Sequence, residues 1–382
     1  MKSRKISAAA TAFSILLLLC GILATPAAAQ EWDLSGYLKT LFIGSRTFFD
    51  EDFFLATHRL RTQLTFRPHS AVEILAALDN QLRWGGYLGT EQHALARPLE
   101  ERYYVDMTLT PYDNTAAQWR AEFYRLYLRA SGEAADFCIG RQRIAWGTGR
   151  LWNPTDLFNP VSPLAIEPAE KRGADAVAVA LRPSADVRLE LAAAVGADRD
   201  DVRWGARGGT TVGSYDVSLM AGRFRDSEVI GFDFSGYLGD AGFRGEFTHT
   251  WDPERRYLRG VLSFEYTFPP GIDLLCEYLY NGGNIGEITP EALDSLAIFD
   301  AITTLNHHFL AARVGGSASP LLTVGLMGIV ELEDGGLFIS PTLTYSWKQD
   351  LDVTVGAQLF FGDRGDFALG NHAVIMAVEW YF

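Results

Sequence analysis

Beyond the first thirty residues, apolar and polar positions alternate with a period of two. Leu351, Val353, Val355, Ala357, Leu359 and Phe361 fall on one face, and Asp352, Thr354, Gly356 and Gln358 on the other. That is the pattern of a strand with one apolar and one polar side. Leu337, Ile339, Leu343, Tyr345 and Trp347 alternate likewise with Ser340, Thr342, Thr344, Ser346 and Lys348. Leu258, Leu262, Phe264, Tyr266 and Phe268 alternate with Arg259, Ser263, Glu265 and Thr267, and Leu60, Leu64 and Phe66 with Arg59, Arg61, Gln63 and Thr65. About eighteen such segments centre near residues 38, 61, 76, 124, 140, 178, 191, 204, 218, 232, 245, 262, 276, 310, 326, 342, 356 and 377. Each is near the ~10 residues that a tilted strand needs to cross a bilayer. The patterns near 178 and 204 are the weakest, which leaves sixteen strands open. Helical periodicity is essentially absent, and no apolar run after Gln30 approaches the ~20 residues of a spanning helix.

The connections divide into two kinds. Tight links such as Arg67-Pro68-His69-Ser70, Arg182-Pro183-Ser184, Pro269-Pro270-Gly271, Ser317-Ala318-Ser319-Pro320 and Lys348-Gln349-Asp350 alternate with longer or more acidic ones, including 83–117, 146–172 and 282–303. Together with the strands they predict an all-β protein: a transmembrane antiparallel β-barrel of about 18 strands, with short periplasmic turns and long extracellular loops. With both termini on the short-turn side the strand number is even. In hydrocarbon every backbone N–H and C=O must find a partner within the protein, and a closed sheet provides this without an edge. Sixteen to eighteen strands enclose a lumen too wide for side chains alone to fill. A soluble sandwich or propeller would instead have to bury its apolar faces against each other.

The beginning of the chain reads as an export signal. Lys2, Arg4 and Lys5 precede an apolar core from Phe13 to Leu23, and Ala27-Ala28-Ala29 forms an A-x-A cleavage site before Gln30. The expected organisation is therefore a signal peptide over 1–29 and one barrel domain over 30–382. A lipoprotein signal using Cys20 is disfavoured by Leu19, and a retained anchor by the short apolar stretch. Among 382 residues, 33 are basic and 47 acidic; three of the bases and none of the acids precede Gln30, so the remainder carries −17. Such a surplus argues against a nucleic-acid partner, which needs a basic field. Three cysteines build neither a disulfide scaffold nor a multi-ligand zinc site, and Cys138 and Cys276 read as apolar fillers.

The last residues, Val374, Met376, Val378, Trp380 and the terminal Phe382, share the alternation. They resemble the C-terminal recognition strand of bacterial outer-membrane barrels, which implies that Trp380 and Phe382 are an assembly signal read by the barrel-assembly machinery. A second segment carries Gly140, Arg141, Gln142, Trp146, Gly147, Asn153, Pro154, Asp156, Lys171 and Gly173. It resembles the corresponding segment of porin-like outer-membrane families, where Gly-Arg-Gln and Trp-Gly lead into Asn-Pro and Asp and then Lys-Gly. The resemblance covers about a tenth of the chain and implies a porin-like class in a Gram-negative outer membrane, without indicating a substrate.

The loop in that segment is a candidate constriction. Two Asn-Pro pairs, Pro163 and Pro168 stiffen it, and Trp146, Trp152, Asn153, Pro154 and Phe158 can anchor it to the wall. Its charges, Arg150, Asp156, Glu167, Glu170, Lys171 and Arg172, would face Arg59, Arg61, Arg125, Arg129, Arg141 and Arg143 across the lumen. Opposed charge rows set a transverse field that sorts solutes by charge. Equally, those arginines could pair with Glu73, Asp79 and Glu122 and hold the wall together. Acidic clusters at Asp50-Glu51-Asp52, Asp198 with Asp200 and Asp201, and Glu333-Asp334 could hold divalent ions bridging to lipopolysaccharide, although solvated loops are the commoner use.

The expected function is a water-filled pore for passive diffusion of small hydrophilic solutes, without catalysis, metal or cofactor. Its expected partners are outer-membrane lipid, lipopolysaccharide and the assembly machinery, with a homo-oligomer left open. The alternative is a barrel that sheathes an exported polymer or a partner protein. A rim hydrolase is the third reading, resting only on His307-His308 near Asp294 and Asp300, since G-x-S-x-G, H-E-x-x-H and C-x-x-C are absent.

Overall fold

The computed structural model describes residues 31–96, 103–159, 162–167, 173–196, 201–224, 226–286 and 302–382. The expected signal segment, Glu170, Lys171, Arg172, Asp198 and Asp200 lie outside the described residues.

Among them run nineteen strands. The first nine are β1 (Glu31–Arg46), β2 (Asp52–His69), β3 (Val72–Trp84), β4 (Thr108–Asp113), β5 (Ala117–Ser131), β6 (Ala135–Gln142), β7 (Ala174–Ser184), β8 (Val187–Val195) and β9 (Val202–Val212). They continue as β10 (Tyr215–Phe224), β11 (Ser227–Leu238), β12 (Ala241–Trp251), β13 (Arg256–Phe268) and β14 (Ile272–Asn281). The last are β15 (His308–Ser319), β16 (Leu322–Glu331), β17 (Leu337–Lys348), β18 (Leu351–Phe361) and β19 (Ala373–Tyr381). Every pairing is antiparallel, and β19 returns to β1 with Tyr37 opposite Tyr381 and Ser45 opposite Ala373. Eighteen strands thus close a barrel, while β4 lies outside that count because it pairs only along the first half of β5. All eighteen expected centres fall within barrel strands, including those near 178 and 204, which settles the number at eighteen rather than sixteen.

The alternation read from the sequence becomes the two faces of the wall. Trp32, Leu34, Leu64, Phe247, Leu262, Val355 and Trp380 are exposed on the outside, where a bilayer would cover them. Their neighbours Thr65, Asp79, Thr248, Ser263 and Gln358 are buried on the inside. Register fixes the layers: Leu60 sits opposite Leu38 and Asn80, and Arg61 opposite Tyr37 and Asp79. A one-residue slip would turn the arginines to the apolar outer face, so the alternation pins the pairing.

Link lengths follow the expected division at one end only. The turns joining β2 to β3 and β7 to β8 are tight, but at the opposite end connections range from residues 225–226 between β10 and β11 to 85–116 between β3 and β5. That longest connection contains a 3-10 turn (Gly86–Gly89), a short helix (Glu91–Ala96) and β4. Its position has a physical reason. β6 ends at Gln142 and β7 begins only at Ala174, so the wall is short of strand above them. Residues 103–113 fill the gap: β4 takes the edge of β5 that β6 does not reach, and Tyr103 bridges to Gly196 beyond β8.

Candidate functional site

The described residues between β6 and β7, 143–159 and 162–167, lie inside the barrel. Ile144 N donates to Asn159 Oδ1 at 2.7 Å and Asn159 N to Asp156 Oδ1 at 3.0 Å, closing the base of the loop on itself. Asp156 N donates to Asn153 O at 3.1 Å, and Pro154 is buried beside it. Ile144, Trp146 and Phe158 then press into the wall where its inward positions are mostly small, at Ala176, Ala192 and Ala194, with Met220 and Val229 alongside. Gly205 belongs to this socket, since a Cβ there would stand 2.8 Å from the Trp146 ring. Trp146 meets Phe158 edge to face at 5.1 Å between centroids.

Two wall carboxylates hold the loop backbone. Glu246 of β12 accepts from the N–H groups of Thr148, Gly149 and Thr155, the last at 3.1 Å, and from Thr155 Oγ1 at 2.8 Å. Glu277 of β14 accepts from the N–H groups of Arg150, Leu151 and Trp152 at 2.9, 3.0 and 2.7 Å, and from the Ser263 hydroxyl. Both glutamates are fully buried. An irregular loop has no sheet to satisfy its amides, so these acceptors replace the missing ladder and receive charge-assisted hydrogen bonds in return. Gly147 is needed for this approach: its φ is 92°, and a Cβ would lie 2.6 Å from a Glu246 oxygen. Beyond Arg150, which pairs with Glu265, Trp152 enters an apolar cluster with Val261, Leu279, Ile302, Phe309, Ile329, Phe338 and Phe367. Burying each indole stabilises the inward position by about 4–6 kcal/mol at most, from its area. At the long-loop end of this cluster, burial raises the Asp366 carboxyl above its ordinary range, although it accepts N–H bonds from Leu305 and Asn306.

The returning limb crosses to the other side of the lumen. Gln358 Nε2 donates to Leu164 O at 3.0 Å, and Glu167 reaches β1 and β2, accepting from Arg59 Nη1 and Nη2 at 3.0 and 2.9 Å with Lys39 Nζ at 3.1 Å. The wall behind is rich in guanidinium groups. Arg61 forms a two-pronged pair with the buried Asp79 at 2.5 and 2.6 Å, and its Cζ lies 3.5 Å over the Tyr124 ring, which Arg125 also stacks on at 4.2 Å. Arg120 pairs with Glu122 at 2.7 Å, and Arg83 donates to Gln118 Oε1 at 3.1 Å. Arg143 is exposed and close enough to Arg125 for the two charges to repel.

Of the residues expected at a constriction, the structure brings Arg59, Arg61, Arg125, Arg143 and Glu167 together. It separates three others. Arg129 lies 3.7 Å from Glu73 near the short-turn end of β3 and β5. Asp156 is buried inside the loop and serves its turn. Arg141 is a wall residue: its side chain is 0% exposed, bonded to Asp175 at 2.8 Å, to Phe123 O at 3.0 Å and to Val105 O at 2.6 Å, and stacked on Tyr103 at 3.5 Å. It fastens the gap-filling segment 103–107 to the strands beneath. The two expectations for the arginines therefore coexist, since Asp79 and Glu73 hold wall pairs while Glu167 belongs to the loop.

Reading the sequence missed Lys39, Glu246, Glu277 and the socket at Gly205. The available signal was an acid at the inward phase of β12 and β14, which apolar periodicity does not weigh. At the ends of the chain, Phe382 exchanges both backbone bonds with Gly36, at 2.9 and 3.0 Å, and stacks toward Trp380. His307 pairs with Glu333 at 3.1 Å and His308 with the Tyr278 hydroxyl at 2.6 Å. Among the described residues no group of three or more His, Cys, Asp or Glu side chains could hold a metal ion, and Cys138 and Cys276 are free thiols.

The eighteen-stranded barrel is a fold shared with solved outer-membrane proteins. Among solved structures, the chain is similar to Pseudomonas aeruginosa OccK9 (OpdG), with a TM-score of 0.61, 11% identity, and coverage of 92% of this chain and 98% of that one. It is also similar to Pseudomonas aeruginosa OpdK with vanillate (TM-score 0.58, 11% identity, 92% and 98% covered). A third similar structure is Acinetobacter baumannii OccAB3 (0.55, 10%, 92% and 99%). At such identities the likeness shows the fold. No family model matches the chain, and no curated protein matches it.

Proposed function

We propose that the chain is an outer-membrane channel through which small hydrophilic solutes diffuse passively, with residues 1–29 removed on export and the short turns facing the periplasm. The observation that carries this reading is the loop of β6 and β7, drawn into the lumen and tied there by Glu246 and Glu277, opposite a wall of arginines. The loop narrows an opening that eighteen strands would leave wide, and the guanidinium groups give the remaining passage a polar, charged side. Similarity to OccK and OccAB structures over nine-tenths of the chain supports it. The reading as a sheath is less well supported, because a threaded polymer would have to displace a loop whose amides are bonded to buried carboxylates. No chemistry on the solute is proposed. β19, ending in Trp380 and Phe382, is the strand offered to the assembly machinery, and the apolar outer face is in contact with lipid and lipopolysaccharide.

The test is single-channel recording of the folded mature protein in a planar bilayer under a salt gradient. Stepwise, long-lived openings are expected. A barrel that resists heat and detergent in its folded form yet passes no ions would overturn the channel reading and return attention to a filled lumen.

A further inference from the structure

At the long-loop end of the barrel three carboxylates meet on one asparagine. The Asn306 backbone N–H donates to Asp366 Oδ2 at 3.2 Å, and its Nδ2 donates to Glu331 Oε2 at 3.1 Å and to Asp334 Oδ2 at 3.0 Å. The last two oxygens are therefore within about 6 Å of each other, where each charge disfavours the other. Glu331 Oε1 accepts from Phe367 N at 2.7 Å, and Asp366 Oδ1 from Leu305 N at 2.8 Å. The group thus ties together the approach to β15, the β16–β17 turn and the β18–β19 connection. Among the described residues no ion pair to these three carboxylates is found: His307 is taken by Glu333 at 3.1 Å, His308 by the Tyr278 hydroxyl, and Asp363 and Arg364 are exposed. Glu331 is fully buried, and a side chain at Gly336 or Gly365 would collide with its oxygens, so backbone rather than water encloses it. Burial, with the Asp334 charge adding to it, holds the Asp366 carboxyl above its ordinary range.

We propose that Glu331, Asp334 and Asp366 form a proton-sensitive clasp that regulates the channel: it closes over the long-loop end while the three share a proton, and loosens when all are ionised. The inference rests on the channel reading for its effect on current, and adds the regulation of that channel. One bound proton lets one carboxyl donate toward another and removes a unit of like charge. When it leaves for water, three carboxylates remain around a single amide. An acid whose proton is held more tightly in the closed clasp stabilises that clasp at low pH, and the contribution is lost as pH rises above the ordinary carboxylate range of about 4. The clasp is also joined to the inward loop. Phe367, bonded to Glu331 through its N–H, has its ring 6.3 Å from that of Phe309, which lies 6.4 Å from the Trp152 ring. Loosening the clasp frees Phe367 from the cluster that seats Trp152, so fluctuation of the loop grows with pH.

The test compares the folded mature protein at about pH 5 and about pH 8.5, both above the ordinary carboxylate range, with EDTA present so that divalent ions cannot replace the proton. Hydrogen-exchange protection of the Leu305, Asn306 and Phe367 amides, corrected for the intrinsic rate, is expected to fall several-fold at the higher pH while the β15 ladder stays protected. Open-channel noise in a planar bilayer is expected to rise over the same interval. In Glu331→Gln both quantities should be nearly independent of pH. Asp334→Asn keeps an acceptor for Asn306 and removes a charge, so it should shrink the fall in protection. Protection that is equal at the two pH values overturns the proposal, as does a fall of undiminished size in both variants, or one abolished by His307→Gln. The two readings fail separately: a silent barrel whose protection responds to pH and to Glu331→Gln sinks the channel and keeps the clasp, whereas a conducting barrel with pH-independent protection does the reverse.

Discussion

The two sides of the lumen handle the same difficulty, polar groups facing inward from the barrel wall, by opposite means. On β11 to β17 the loop covers the wall: Trp152 lies among Val261, Leu279, Phe309 and Phe338, while Glu246 and Glu277 take its amides. On β1 to β5 the inward positions include Arg59, Arg61 and Arg120, each paired with an acid, and Glu167 of the loop reaches Arg59. The first side is a protein core that happens to be inside a barrel. The second is a charged surface that stays in reach of water. The difference shows what positions the loop: it lies against the wall that offers it apolar sockets and acceptors.

If that is right, removing the acceptors should release the loop. In the double variant Glu246→Ala with Glu277→Ala, six loop amides lose their partners. Each buried orphan costs about 1–3 kcal/mol. The loop should leave the wall for water, while the backbone ladder that closes the barrel remains intact. Larger and noisier single-channel currents are expected, with rapid hydrogen exchange at Thr148, Gly149 and Thr155. Unchanged exchange at those amides would mean that the aromatic sockets alone hold the loop.

Arg141→Ala tests the wall itself. It leaves Asp175 half-stranded and cuts the segment 103–107 from its support. Breaking a buried pair costs about 3–5 kcal/mol. The expected result is proteolytic sensitivity at residues 103–107 and a lower melting temperature, with ion preference unaltered. A change of selectivity without a loss of stability would return Arg141 to the passage.

How far the sequence announces all this differs between the two sides. The strands are legible because a wall with an apolar outer and a polar inner face imposes a strict period of two, and Trp32, Leu60 or Val355 can be placed from that rule alone. The loop was legible from Trp146, Trp152 and its prolines, since an aromatic, stiff connection of that length needs something to pack on. Arg59 and Arg61 follow from the inward phase of β2. Arg141 misleads because the wall is incomplete there: once β6 ends at Gln142, inward and outward lose their meaning, and the space is filled by residues distant in sequence. The inward phase of β12 and β14 marks Glu246 and Glu277 as lumen-facing acids, but not what they bind. Their partners are backbone amides ninety or more residues away, and a backbone amide leaves no mark on a sequence.

The smallest expected effect is the sharpest on the charged side. Arg143 sits just past the end of β6, exposed, and near enough to Arg125 to repel it. No hydrogen bond or ion pair to it is found among the described residues. Replacing it should therefore leave stability within about 0.5 kcal/mol, as for surface positions generally. Its charge still contributes to the field of the passage, because screening at 0.1 M salt acts over about 10 Å and is weaker next to a low-dielectric wall. Arg143→Gln should then keep the melting temperature and the unitary current at high salt, and shift ion preference toward cations only at low salt. If the reversal potential is the same at both salt concentrations, the passage does not run beside Arg143, and the arginines of β2 and β5 would belong to the wall alone.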